Sequence, residues 1–184
     1  MKRGGIDFEV VQPYAQALMS VARSKDMTEQ VGEDVRSLLK LLQGSEDLRN
    51  FLANPFAKIE DKKNVLGQIM GDSNPYLRNF VMLLVDRRRL LLLDAICQQY
   101  IALLRESNQT VLAEVISAVE LSESQQQAVR ERVKNMTNAR EVELDTKIDR
   151  DLIGGVIIKV GSQVIDASLR GQLRRLSLRL SSGA

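Results

Sequence analysis

Residues 152–180 read LIGGVIIKVGSQVIDASLRGQLRRLSLRL, and this stretch decides the fold of the second half of the chain. Two apolar runs, Val156 to Val160 and Gln163 to Asp166, flank Gly161-Ser162. A glycine at the first central position suits a type II′ turn, so the pattern predicts a β-hairpin. After it Leu169, Leu173, Leu176 and Leu180 recur at helical spacing and predict an amphipathic helix. Asp166 and Ser168 stand where capping residues belong. Arg170, Arg174, Arg175 and Arg179 are spread over that helix, and no acidic residue follows Ser168. The arginines have two readings: a solvated face with cations near a helix C-terminus, or an electropositive docking face for an acidic partner helix. Gly154-Gly155 matches no phosphate-loop spacing and reads as a pair of structural glycines entering a strand.

Working outward, Glu141 to Ile148 alternates strictly. Val142, Leu144, Thr146 and Ile148 fall on one face, with Glu141, Glu143, Asp145 and Lys147 on the other, which predicts a strand wet on one side. Ser122-Glu123-Ser124-Gln125 is a capping-box signature opening a polar helix with the narrow stripe Val129, Val133 and Met136. Val111 to Val119 reads as a strand. The period changes from 3.6 to 2 at Ser107-Asn108-Gln109, so the predicted domains are 1–106 and 107–184. The first domain reads as helices only. Pro13 suits an early helical position, and Tyr14, Leu18, Val21 and Ala22 follow at helical spacing. Thr28 is an expected N-cap before the stripe Val31, Val35, Leu38, Leu39 and Leu42. Ser45 is expected to cap the next helix, which Asn54-Pro55 ends. A fourth helix carries Val65, Leu66 and Ile69 up to Gly71, and Asn74-Pro75 opens a fifth. Periodicity leaves open whether residues 75–105 form one helix or two, because no glycine or proline interrupts Asp86-Arg87-Arg88-Arg89.

Composition limits the chemistry. The chain has 184 residues, 44% of them hydrophobic and 27% charged, with a net charge of +2, which is globular and without a global bias toward nucleic acid. The absence of histidine removes the commonest general base and metal ligand. Cys97, the sole cysteine, lies near an apolar stripe and reads as a small core residue. Glu141, Glu143 and Asp145 share a strand face, a common solvent-exposed pattern, and with no convincing nucleophile or metal-ligand cluster the expectation is no enzyme, no cofactor and no metal. No apolar run reaches the roughly 20 residues that span a bilayer. The N-terminal MKRGGIDFEVVQ lacks the features of a secretory signal or a transit peptide, so a bacterial or organelle-encoded protein is expected. The rival to a protein–protein role is a small nucleic-acid-binding module using the arginine-rich helix. The KH loop would need two glycines three positions apart, which this segment lacks, and no strand carries the aromatics of an RRM.

Four separated segments carry a family resemblance. PYAQALMSVA (13–22), LRNFVMLLVDRRRL (77–90), AEVISAVELS (113–122) and the terminal signature resemble, in this order, the delta subunit of rotary ATP synthases, the oligomycin-sensitivity-conferring protein of mitochondria. The signature comprises Leu152-Ile153-Gly154-Gly155, Gly161, Ile165-Asp166, Ser168, Arg170-Gly171 and Leu173. Two positions depart from the family: Ala167, often glycine, and Met19, often aromatic. The resemblance implies an N-terminal all-α six-helix bundle, with a helix break near Arg87 to Leu90, and a small α/β (α+β) C-terminal domain with a mixed sheet. It implies a non-catalytic stator subunit that links the alpha/beta catalytic head to the b-type peripheral stalk and resists rotor torque. It also implies a groove between the first and fifth helices for the N-terminal helix of an alpha subunit. Candidate groove residues are Tyr14, Ala17, Leu18, Val21, Phe80, Leu83 and Leu84; candidate stalk contacts are Arg170, Arg174, Arg175 and Arg179. The wording of PYAQALMSVA resembles the photosynthetic branch, so a peripheral position on the cytoplasmic or stromal side of a thylakoid membrane is expected.

Overall fold

A computed structural model describes residues 8–181, with side chains for 9–175. The chain divides after Leu104 into two compact units.

The first unit is helical. Its elements are α1 (Phe8–Ser24), α2 (Thr28–Gly44), α3 (Glu46–Ala53), α4 (Ile59–Ile69), α5 (Pro75–Asp86), a 3-10 turn (Leu90–Leu92) and α6 (Leu93–Ser107), whose end runs past the division. Apolar stripes on all six helices merge into one core that includes Val11, Val31, Leu66, Leu77, Ile96 and Tyr100. Caps explain several boundaries. The Ser45 hydroxyl accepts the Leu48 N–H at 3.1 Å, and Asn74 Oδ1 accepts the Tyr76 N–H at 3.0 Å. Lys62 Nζ donates to the carbonyls of Leu52 and Asn54, which tethers the end of α3 to α4. Two expectations need correction. Thr28 is the first residue of α2, not its cap; Met27 holds the cap position without a side-chain bond. Helix α1 starts at Phe8, so Pro13 lies inside it, where proline cannot donate to the Glu9 carbonyl.

The segment after Asp86 is a Schellman ending built without glycine. The Arg89 N–H donates to the Leu84 carbonyl and the Arg88 N–H to the Val85 carbonyl. Arg88 takes the left-handed φ of 54° that this ending requires. Helix α1 closes the same way, with Asp26 at φ 55°.

The second unit holds β1 (Thr110–Ser117), α7 (Glu123–Thr137), β2 (Glu141–Ile148), β3 (Val156–Val160), β4 (Gln163–Asp166) and α8 (Leu169–Ser181). The four strands form one mixed sheet in the order β2-β1-β3-β4. β1 and β2 are parallel, and α7 supplies the crossover a parallel pair needs. β3 is antiparallel to both β1 and β4. The capping box is formed: the Ser122 hydroxyl accepts the Gln125 N–H, and the Gln125 side chain accepts the Ser122 N–H. Val129 and Val133 of α7 pack with Ala113, Val115, Ile158 and Val160. The opposite sheet face carries charge, with Lys147 paired to Glu114 and Asp145. β2 departs from the predicted pattern. Val142 and Leu144 are half-buried, but Thr146 and Ile148 are exposed although they share that face. β2 is an edge strand, and its second half extends beyond the small core. Met136, expected on the α7 stripe, is also exposed.

Candidate partner-docking surfaces

Helices α1 and α5 are neighbours, and each presents two adjacent stripes. The inner stripe is core: Val11, Ala15, Leu18, Met19 and Ala22 on α1, with Leu77, Val81, Leu84 and Val85 on α5. The outer stripe lies one residue round each helix. It comprises the exposed Ala17 and Val21 and half-buried Tyr14 on α1, with exposed Leu83 and half-buried Phe80 on α5. Leu18 and Leu84 must therefore be removed from the groove candidates. They are 2% and 0% exposed, and both side chains are consumed by the core. Met19 is also a core residue, so its departure from the family pattern alters packing inside the helices and leaves the outer stripe unchanged.

Aromatic contact fixes part of this outer surface. Tyr14 and Phe80 meet edge to face, with centroids 6.3 Å apart and planes at 66°. Arg89 donates from Nη1 to the Tyr14 hydroxyl at 2.6 Å, with its guanidinium carbon 5.4 Å from the ring centroid. Arg89 is thus a positioning residue for Tyr14. The Schellman ending of α5 brings it back toward α1, and no local pattern encodes that distance of 75 residues. The result is an apolar surface on two helices, with an immobilised tyrosine and no group equipped for bond making.

The second surface is the corner before α8. Asp166 Oδ1 accepts both the Ser168 N–H, at 2.9 Å, and the Ser168 hydroxyl, at 2.6 Å. The Ser168 Oγ in turn accepts the Gly171 N–H at 3.0 Å, capping the helix. These bonds from Ser168, with Arg175 nearby, hold the Asp166 carboxyl below the usual carboxylate range. A Cβ at Gly171 would collide with that carboxylate. Gly155, at φ 78°, packs against the Ala167 carbonyl, and a Cβ there would collide with backbone. Gly155 and Gly171 of the signature thus serve a tight corner, and Ala167 fits it without a left-handed backbone. Ile153 is strained, at φ 64° and ψ −34°, and its side chain is exposed.

On α8 the arginines Arg170, Arg174 and Arg175 are exposed, and Arg175 reaches back to the Asp166 carbonyl at 3.3 Å. The Arg179 side chain lies outside the described residues, as do those of Leu176 and Leu180. Leu169 and Leu173 are 47% and 59% exposed, so the described part of the leucine stripe is largely open to solvent.

Cys97 is buried, and burial with the nearby Asp94 charge pushes its thiol up to about 12. Among the described residues no cluster of His, Cys, Asp or Glu could hold a metal ion. No described helix is long and apolar enough to cross a membrane.

Comparison with known proteins places these surfaces in context. The family profile described as ATP synthase delta (OSCP) subunit matches residues 10–180. A protein of Trichormus variabilis described as ATP synthase subunit delta is 65% identical over 174 residues, covering 95% of each chain. One of Synechocystis with the same description is 54% identical and covers 99% of each chain. A chain in the cryo-EM structure of the Toxoplasma gondii mitochondrial ATP synthase hexamer superposes with a TM-score of 0.72 at 25% identity, covering 92% of this chain and 96% of that one.

Proposed function

The chain belongs to the ATP synthase delta (OSCP) subunit family, and we propose that it works as a clamp with one grip on each unit. It is a non-catalytic stator subunit of a rotary ATP synthase. On our reading the six helices of residues 1–106 act as one bundle that takes the N-terminal helix of an alpha subunit. Residues 107–184 hold the b-type stalk.

The observation that carries this reading is the outward-facing apolar stripe of Tyr14, Ala17, Val21, Phe80 and Leu83 on two neighbouring helices. Helix-in-groove recognition needs apolar anchors on adjacent helices, and an interface of standard size buries about 800 Å² per partner. A single attachment would let the catalytic head swivel. Two attachments on separate units oppose that rotation, so the torque of the rotor goes into the chemistry of the head. The exposed arginines and leucines of α8 suit an acidic amphipathic partner at the stalk end. The cyanobacterial relatives favour a peripheral place at a thylakoid membrane, on its cytoplasmic side.

The test is binding of an alpha-subunit N-terminal peptide to the V21D/L83D variant. Both side chains are 40% or more exposed, so the helices keep their fold. Peptide affinity is expected to fall at least about tenfold, the loss of two apolar anchors being worth more than about 1.4 kcal/mol. Unchanged affinity in a variant with the wild-type melting curve removes the groove assignment.

A further inference from the structure

A second apolar depression in the first unit uses none of the groove residues. It runs beside the 3-10 turn as two lobes of about 410 and 190 Å³. Leu52, Ala53, Leu90 and Leu91 line both lobes, so Leu91 forms a ridge between them. That ridge is 67% exposed, and Phe56 on the neighbouring loop is 92% exposed. The loop is held in place: Lys62 Nζ donates to the Asn54 carbonyl as well as to that of Leu52 in α3, and the Phe56 N–H donates to Asn54 Oδ1 at 2.9 Å. The depression is therefore preformed.

Its charge is one-sided. Arg49, Lys58, Lys62 and Arg88 line it, against the single carboxylate of Asp94. The Asp94 carboxylate accepts from Gln98 Nε2 at 2.7 Å. Arg49, Lys58 and Arg88 make no ion pair or side-chain hydrogen bond among the described residues. Arg88 also carries a left-handed backbone, which orders an arginine at the lip where glycine would close the helix with less strain. Apolar floor, exposed Leu91 ridge and unpaired cations together make the surface complementary to an acidic amphipathic segment.

We propose that this depression is a second docking site of the first unit, and that its occupant is an acidic amphipathic segment of another subunit of the synthase. An apolar side chain of that segment sits beside Leu91, while its carboxylates meet Arg49, Lys58 and Arg88. The site gives the helical unit two separate holds on its neighbours.

The experiment places the photocrosslinker p-benzoylphenylalanine at position 91 in the assembled synthase and identifies the crosslinked peptide by mass spectrometry. The expected product joins this chain to a net-negative segment of another subunit. In the R49E/K58E/R88E background the yield is expected to drop at least tenfold while the complex stays assembled. Should that variant melt early, R49Q/K58Q/R88Q serves the same purpose with an expected drop of at least threefold. A crosslink to a second copy of this chain, to a neutral or basic segment, to nothing, or one indifferent to the charge changes overturns the proposal. Failure of the groove reading is distinguished by the V21D/L83D variant, which leaves this crosslink site intact.

Discussion

Gly155 shows how much a single backbone position decides. Its φ of 78° and its contact with the Ala167 carbonyl leave no room for a side chain. Gly155→Ala is therefore expected to destabilise the second unit by about 2–5 kcal/mol, combining backbone strain with overpacking. Hydrogen exchange of the β3 and β4 amides would measure it, and protection equal to wild type would refute the packing argument. Asp166 acts at the same corner through charge. Its carboxyl is held below the usual range by the two Ser168 bonds first and by Arg175 after them. A depressed folded pKa means that the stabilisation is complete above the ordinary carboxyl pKa and is lost as pH falls through the lowered value. Asp166→Asn is thus expected to lower thermal stability at neutral pH, and the two melting curves should converge in acid. Parallel curves at every pH would show that the charge contributes nothing. Asp166, Ser168 and Gly155 were all legible in the sequence as cap and glycine signals. Arg89 was not, because its value lies in reaching a tyrosine 75 residues away.

Elements are set by their ends as much as by their stripes. Ser45, Asn74 and Ser122 announce three helix starts through side-chain caps, and each start falls where the capping pattern puts it. The break after α5 has no such marker. An arginine occupies the left-handed position that glycine usually fills, so periodicity could not separate one helix from two. Arg88→Gly is accordingly expected to stabilise the first unit by about 0.5–1 kcal/mol, since relief of the left-handed strain exceeds the entropy glycine gains on unfolding. Denaturant unfolding with an unchanged slope would read this, and a loss of stability would mean that the Arg88 side chain carries more than the backbone argument allows. The stripes were legible, but their rotation was not. Leu18 and Val21 belong to the same sequence pattern, yet one is core and the other surface. A helix of apolar period 3.6 does not state which side of a wide stripe its neighbours cover.

At the scale of the whole molecule, the proposed clamp assigns one hold to each of the two compact units. Removal of residues 169–184 is expected to spare binding of the alpha-subunit peptide and to abolish binding of the b-type stalk, with pull-down from purified components as the readout. Equal stalk binding by the truncated and intact chains would move the stalk contact off α8. By itself the sequence determined most of the helix and strand segments, the change of period near residue 108, the hairpin and, through ordered motifs spread over nearly the whole chain, the family. These are local or short-range properties, fixed by side-chain period, caps and turn chemistry. Tertiary structure alone decided that Leu18 and Leu84 are core, that Arg89 holds Tyr14, that the second half of β2 is uncovered, and that three unpaired cations surround the Leu91 ridge. Those facts depend on which faces of distant segments meet. Burial is a property of the packed assembly of helices, which no window along the chain contains.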